Sequence, residues 1–349
     1  MKGKDVIQVF TNGNNDRANP YHRALYPYFN PEAEAQWIAI AGLKQVDSLN
    51  APSNYKLEVK FNEAGYAKYW TLVGPGQNGN TANIAGDDKY GRYGGTSMAA
   101  PFVSGAFAVL ASRYQDMSAL QVREVLLTTA NHKNTDGTDM EGWANVSGDD
   151  SGRRRGFLTV WDGAFLILEK GMYGLGQLSG KFEYNLKAGN LDVWSNDISQ
   201  IALDQRARED LAWLKSATED GTTDGKVVVS NVLTDYKLTN TSTASANQDG
   251  REHNYDLAGI KDKNISLEDA KKWRLEYYEK RAAAIRTKIA NGLYDGSLVK
   301  NGDGTLVLTG NNTFRGGVTL NEGQPFYGFS TTPSVSRRPL RARPMAWSP

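Results

Sequence analysis

Residues 93–110, YGGTSMAAPFVSGAFAVL, leave the backbone little freedom of choice. Gly94 and Gly95 permit a tight or left-handed approach. The small and apolar residues after them recur at helical spacing through Tyr114. The helix is expected to begin at Thr96 and Ser97, with Pro101 in its first turn, where a missing N–H goes unneeded. Ser97 then stands at a helix N-terminus, where unsatisfied N–H groups and the positive end of the helix dipole gather. Ala99 and Ala100 are expected to keep the approach to it uncrowded. Two readings of Ser97 follow, an ordinary N-cap and a nucleophile placed where negative charge is welcome.

The neighbouring sequence sets this helix in an α/β fold. DVIQVF (5–10) and WIAIAG (37–42) are short β-branched or aromatic runs bounded by turn residues, as expected of buried strands. SALQVREVLLTTA (118–130) reads as a second helix with Ser118 as its N-cap. Strand, loop and helix recur over residues 1–190, the pattern of a parallel sheet flanked by helices.

Two further regions differ in texture. Residues 191–297 are more polar and hold two amphipathic helix candidates, 200–217 and 266–292, the latter with a capping-box-like start at Ser266 and Asp269 and a stop at Gly292. The stretch TNTSTASANQDG (239–250) between them reads as a loop or disordered linker. Residues 298–323, LVKNGDGTLVLTGNNTFRGGVTLNEG, alternate short strands with Gly/Asn turns, the pattern of one coil of a repetitive β structure that needs a neighbour to stack on. The remainder, 324–349, is rich in Pro, Arg and Ser without periodicity and reads as a disordered tail.

Charge and composition narrow the partners. Forty Lys and Arg against 39 Asp and Glu leave a formal charge of +1, which argues against nucleic acid or an anionic membrane as the main partner. The chain has no cysteine, which removes disulfides, thiolate metal sites and a cysteine nucleophile. No apolar run approaches the roughly 18 residues of a membrane helix. The opening MKGKDVIQVF is too short and too quickly polar for a signal peptide.

GTSMAAPFVSG (95–105) resembles the nucleophile motif of subtilisin-like serine proteases, a long and specific string. FTNGNND (10–16) is similar to the segment in which that family places an asparagine after glycine, and YWTLVGPG (69–76) to the strand and turn that lead toward its serine. VWSNDIS (193–199) and GDGTLVLTGNNTFRGG (302–317) resemble segments of subtilase autotransporters, in which a protease passenger continues into a β-helical stem before an outer-membrane barrel. The resemblance implies a serine endopeptidase with Ser97 as nucleophile and Asn14 donating, alongside the Ser97 backbone N–H, to the oxyanion of the tetrahedral intermediate. It also implies a subtilisin-like parallel sheet with its N-terminal portion missing, a peptide or protein substrate, an extracellular or cell-surface location, and export of the parent protein through an outer-membrane barrel.

The chain departs from the family where the general base should be. A His-Gly-Thr helix start and an Asp-Ser/Thr-Gly turn are expected upstream of Asn14, and neither is there. Of the three histidines, His22 reads as a loop residue, His132 follows a helix end and His253 lies in the polar linker. Asp-Ser-Gly at 150–152 comes after the serine and beside three arginines, as in a charged surface turn. No triad histidine or aspartate is assigned, so the isolated chain is expected to fold poorly and to be inactive or nearly so. A non-catalytic surface or adhesion module, or a pseudo-protease fragment, stays open as the alternative. No cofactor is expected. Calcium is common in the family, but Asp87, Asp88, Asp149 and Asp150 are too generic to place a site.

Overall fold

The computed structural model describes residues 5–15, 19–45, 55–57, 61–62, 64–76, 79–82, 86, 89–128, 158–159, 181–194, 198, 200–229, 267–310, 312, 314–322 and 335–337. In its first part the described elements are β1 (Gln8–Thr11), α1 (Tyr26–Phe29), β2 (Trp37–Gln45), β3 (Tyr55–Leu57), β4 (Thr71–Pro75), β5 (Gly79–Ala82), β6 (Tyr90–Tyr93), α2 (Thr96–Arg113), α3 (Ala119–Thr128) and β7 (Leu158–Thr159). Strands β1, β2, β4 and β7 lie side by side in that order, all parallel, while β3 pairs antiparallel to the end of β2. Strands β5 and β6 form a separate antiparallel pair just before α2.

The central strand β2 shows why the sheet needs cover on both sides. Successive side chains of a strand point to opposite faces. Ile38 and Ile40 accordingly join Leu72 against Ala99, Val103, Ala106 and Leu110 of α2, whereas Trp37 and Ala39 join Leu25, Tyr28, Phe29 and Trp70 in a second cluster. The α/β architecture expected from the alternating runs is therefore present, with α2 and α3 on one face of a parallel sheet.

Local chemistry fixes the helices. Ser118 and Gln121 cap each other at the start of α3: the Gln121 N–H donates to Ser118 Oγ (3.2 Å) and the Ser118 N–H to Gln121 Oε1 (2.7 Å). Asp5 takes the next two helical N–H groups, those of Ala119 (2.9 Å) and Leu120 (3.2 Å). Arg123 of α3 is fully buried and donates from Nε (2.8 Å) and Nη2 (2.6 Å) to the carbonyl of Trp37, the first residue of β2. Burial pulls its pKa down to about 10.

The second part holds β8 (Lys181–Asn185), β9 (Leu191–Trp194), α4 (Ile201–Ser216), α5 (Leu267–Ala290), β10 (Ser297–Asn301), β11 (Thr305–Leu308), β12 (Val318–Leu320) and β13 (Val335–Arg337). The neighbour that the 298–323 segment needs is supplied by residues 181–194. β10 lies parallel on β8 and β11 parallel on β9, with β12 and β13 continuing the first ladder. Gly302 explains the close stacking: it sits at φ +75°, and a Cβ there would lie 2.4 Å from the carbonyl oxygen of Leu186 in the coil below. Phe182, Tyr184, Trp194, Leu298, Leu306 and Leu308 fill the interior, continuous with the α2 side of the sheet.

Between the two stacked coils the chain makes α4 and α5, and these cover the other face of the first sheet. Leu214, Ala217, Tyr277, Tyr278, Ala282 and Ile285 share one core with Leu25, Tyr28, Phe29, Trp37 and Trp70. The Phe29 ring meets Tyr277 edge-on at 5.0 Å between centroids. Polar contacts reinforce the junction. Arg206 of α4 grips both carboxylate oxygens of Glu34, with Nη2–Oε2 at 2.9 Å, and its Nε reaches Asp210 at 3.2 Å, all three residues being buried. Helix α5 ends as expected at Gly292, whose N–H and that of Leu293 bond back to the carbonyls of Ile289 and Lys288. The expected capping residue Ser266, the 239–250 stretch and the tail from 338 lie outside the described residues, as does most of 323–337. Among the described residues no helix is long and apolar enough to cross a membrane.

Candidate active site

The site forms at the carboxyl ends of β1 and β4, the edge where open α/β sheets usually hold ligands. Strand β1 runs into Asn12, Gly13 and Asn14, while β4 leads into Gly76, whose carbonyl accepts the Gly95 N–H at 2.6 Å and so ties the start of α2 to the sheet. Gly95 is the N-cap, at φ +143°, a backbone conformation that suits glycine.

Two expectations about this helix need correction. Pro101 is not in the first turn: with Thr96 as the first helical residue, Pro101 falls in the second turn, inside the helix, and cannot offer the N–H that the Ser97 carbonyl would take there. Ala99 does not line the approach to Ser97 either. A helix turns about 100° per residue, so Ala99 points away from Ser97, and it is fully buried against Gly74 of β4. Its small size serves the close packing of helix on sheet.

Ser97 is the second residue of α2, not its N-cap, and is exposed. The first turn of the helix carries no acidic residue, so its positive end is not offset locally. Asn14 is brought to the same place. Its Oδ1 accepts from the Thr96 N–H (2.9 Å) and from the Thr96 hydroxyl (3.0 Å), and the same hydroxyl accepts the Gly13 N–H (3.3 Å). With the oxygen end of the amide so held, its nitrogen end lies beside Gly95, where an added Cβ would approach Asn14 Nδ2 to 3.2 Å. The sequence singled out Ser97 and Asn14. It did not single out Thr96, which fastens one to the other across more than 80 positions.

The loop bearing Asn14 is also held from beneath, by Asn62. Its N–H donates to the Gly13 carbonyl (2.8 Å), its Nδ2 to the Asn12 carbonyl (3.0 Å), and its Oδ1 accepts the Asn15 N–H (2.9 Å). An asparagine in FNEAG reads as a turn residue, and nothing local marks it for this work.

Of the histidines, His22 is exposed in the turn before α1, while His132 and His253 lie outside the described residues. Asp87, Asp88, Asp149 and Asp150 lie outside them too. Among the described residues no group of three or more His, Asp or Glu side chains is placed to hold a metal ion.

The sequence model of the Subtilase family (Peptidase_S8) matches residues 1–148, the stretch that carries both Asn14 and Ser97. The Passenger-associated-transport-repeat model matches residues 298–324. Residues 1–148 are thus similar to subtilases and residues 298–324 to the repeat that accompanies transported passengers. Among curated proteins, Serotype-specific antigen 1 of Mannheimia haemolytica is 30% identical over 152 residues, covering 42% of this chain and 16% of that protein. The Neisserial autotransporter lipoprotein NalP of Neisseria meningitidis serogroup B is 30% identical over 156 residues, 41% of this chain and 14% of that protein. An extracellular serine protease of Serratia marcescens is 29% identical over 161 residues, 40% of this chain and 15% of its own length. The chain thus matches about a sixth or less of the length of each of these relatives. Among solved structures, the prenylagaramide maturation protease PagA is 22% identical, covering 47% of this chain and 50% of its own, with a TM-score of 0.33. Sphericase is 25% identical, covering 44% and 47%, with a TM-score of 0.31.

In subtilase terms the described geometry joins two segments far apart in sequence, the asparagine loop and the serine helix, through one threonine. A hydroxyl and an amide meet at the positive end of a helix, an arrangement suited to a reaction in which oxygen gains negative charge.

Proposed function

We propose that this segment is the nucleophile-bearing part of a serine endopeptidase that cleaves protein substrates by acyl transfer. The Ser97 hydroxyl oxygen attacks the scissile carbonyl carbon and its proton passes to a general base. The carbonyl oxygen, now negative, accepts hydrogen bonds from the Asn14 side-chain amide and the Ser97 backbone N–H. Collapse of this intermediate breaks the C–N bond, the amine leaves with a proton, and water then releases the acyl group from Ser97. The Subtilase-family match over residues 1–148 supports a hydrolase of this type.

The observation that carries this reading is the grip of Thr96 on Asn14 Oδ1, which presets the amide before any substrate arrives. Preorganised donors aimed at developing charge are usually the largest single term in such catalysis. No histidine of these 349 residues is assigned the base. In the reading proposed here the base and its aspartate come from a His-Gly-Thr and an Asp-Ser/Thr-Gly segment placed before Asn14, and the chain without them turns over peptide residually at most.

Export follows from the same reading. The transport-repeat match and the parallel stacking of residues 181–194 with 297–308 support a β-helical stem, passage through an outer-membrane barrel and an extracellular or cell-surface location. The test is to join the chain behind a subtilase segment supplying the two upstream motifs and to assay peptide hydrolysis. Ser97→Ala is expected to abolish turnover, and Asn14→Ala to lower kcat about 10²–10³-fold, as for the oxyanion asparagine of subtilisin itself. Full activity in the Ser97→Ala protein overturns the proposal.

A further inference from the structure

We propose that Asn62 is the positioning residue of the oxyanion loop, holding residues 12–15 so that Asn14 presents its amide beside Ser97. The inference rests on the roles just proposed for those two residues.

Asn62 is 1% exposed and touches no reacting group, yet it takes three backbone groups of one four-residue loop. Its own N–H serves the Gly13 carbonyl, and its side chain uses one end for the Asn12 carbonyl and the other for the Asn15 N–H. Asn14 lies between the bonds made on either side of it. A side chain that is both donor and acceptor is required, and it lies close against the loop: a Cβ on Gly13 would come within 2.8 Å of Asn62 Nδ2. Gly13 itself stands at φ +110°, so the loop is bent around this contact.

Thr96 works on the other side of the same residue, Gly13. The Gly13 N–H points to Thr96 Oγ1 and the Gly13 carbonyl to Asn62, so the loop is slung between the serine helix and Asn62. The residue before Asn62 keeps it in register. Phe61 fills a slot that exists because two neighbours lack side chains: a Cβ on Gly42 would lie 2.5 Å from its ring, and one on Gly76 2.8 Å. Gly76 is also the residue whose carbonyl anchors Gly95. One wedge therefore sets both Asn62 and the start of α2. Loss of the Asn62 amide would leave the half-buried Asn15 N–H without this acceptor, whereas the Asn12 carbonyl would keep the Tyr21 N–H at 2.8 Å. The damage is directed at the Asn14 end of the loop.

The experiment compares the 349-residue chain with its Asn62→Ala and Asn62→Asp variants by amide hydrogen exchange and by the rate at which a fluorophosphonate labels Ser97. In that labelling Ser97 Oγ bonds to phosphorus, fluoride departs and the hydroxyl proton goes to solvent. Asn62→Ala is expected to exchange at least tenfold faster over Gly13–Asn15 with α2 unchanged, and to label Ser97 10- to 100-fold more slowly. Asn62→Asp keeps the shape and the acceptor but not the donor, and its labelling is expected to recover as pH falls and the introduced carboxyl gains a proton to donate. Unchanged exchange in the loop overturns the inference. Equal labelling of wild type and Asn62→Ala overturns it as well and leaves Ser97 as nucleophile. A wild type labelled no faster than Ser97→Ala follows from the lack of a general base in this chain; the protease reading is then tested by hydrolysis in the joined protein, and the exchange result decides the role of Asn62 by itself. If Asn62→Ala loses protection throughout, the Asn62→Asp comparison decides.

Discussion

Gly95 carries two demands at once, and a single methyl group tests both. Its φ of +143° is strained for any L side chain, and a Cβ there would press on Asn14 Nδ2 at 3.2 Å. Gly95→Ala is expected to cost about 1–3 kcal/mol of stability by chemical denaturation and, beyond that, to slow labelling of Ser97 as strongly as Asn14→Ala does. A variant that loses stability but labels at the wild-type rate would separate the two demands. Thr96→Val keeps the shape of Thr96 and its N–H to Asn14 but removes the hydroxyl bonds, so a roughly tenfold slower labelling is expected. At this scale the sequence was informative where chemistry is written into a contiguous string. GTSMAAPFVSG and FTNGNND exposed Ser97 and Asn14. Thr96 and Asn62 went unseen because their work is done on backbone groups 83 and 47 positions away, and a separation of that kind leaves no local mark.

The cap of α3 illustrates what short-range rules deliver. Ser118 was legible as an N-cap because the partner that confirms it, Gln121, is three residues on. Ser118→Ala is expected to lower stability by about 1 kcal/mol in a urea titration. The ion cluster that binds α4 to Glu34 was not legible, since Glu34 and Arg206 are 172 positions apart. Burial by itself would raise both Glu34 and Asp210. Arg206 and Lys288 lower Glu34 more than burial raises it, and the same two with Arg281 draw Asp210 down to about 2 from its ordinary 3.8. A carboxylate depressed in the folded state adds stability above its unfolded pKa and forfeits it as pH falls through the folded value. Asp210 is therefore expected to contribute about 2 kcal/mol at neutral pH that disappears between about pH 4 and pH 2, seen as a drop in the thermal midpoint over that window. Replacing Arg206 with alanine removes the guanidinium that grips two buried carboxylates, leaving Asp210 to Arg281, Lys288 and Tyr294, and a loss of about 3–5 kcal/mol at pH 7 is expected.

The polar composition of residues 191–297 pointed to surface helices, and α4 and α5 do carry charge on their outer sides. Their inner sides were harder to foresee: Tyr277, Tyr278 and Trp213 sit among charged residues, and only the open face of the sheet explains them. Because Leu214 and Ala217 lie on one side of the 239–250 stretch and Tyr277 and Ile285 on the other, all in one core, a cut introduced in that stretch is expected to leave the two pieces together on native size exclusion. Separation of the pieces would show that the shared core is too weak to hold them. The parallel sheet was readable from alternating strand and helix patterns. The stacking of 181–194 beneath 297–308 was not, because each coil alone shows only short strands and turns.

That stacking sets the order in which the molecule can be made. Lys181 pairs with Ser297, and Leu191 with Thr305, so the first coil waits for the entire helical layer to emerge before its ladder partner exists. Contacts so distant in sequence are slow to close, because the entropy of the intervening loop must be overcome before pairing rewards it. Until then β8 keeps a bare edge of unpaired peptide groups, the form of strand most given to pairing with the wrong chain. Coil closure, and not the protease-like sheet, is where folding of this chain runs its greatest risk of aggregation.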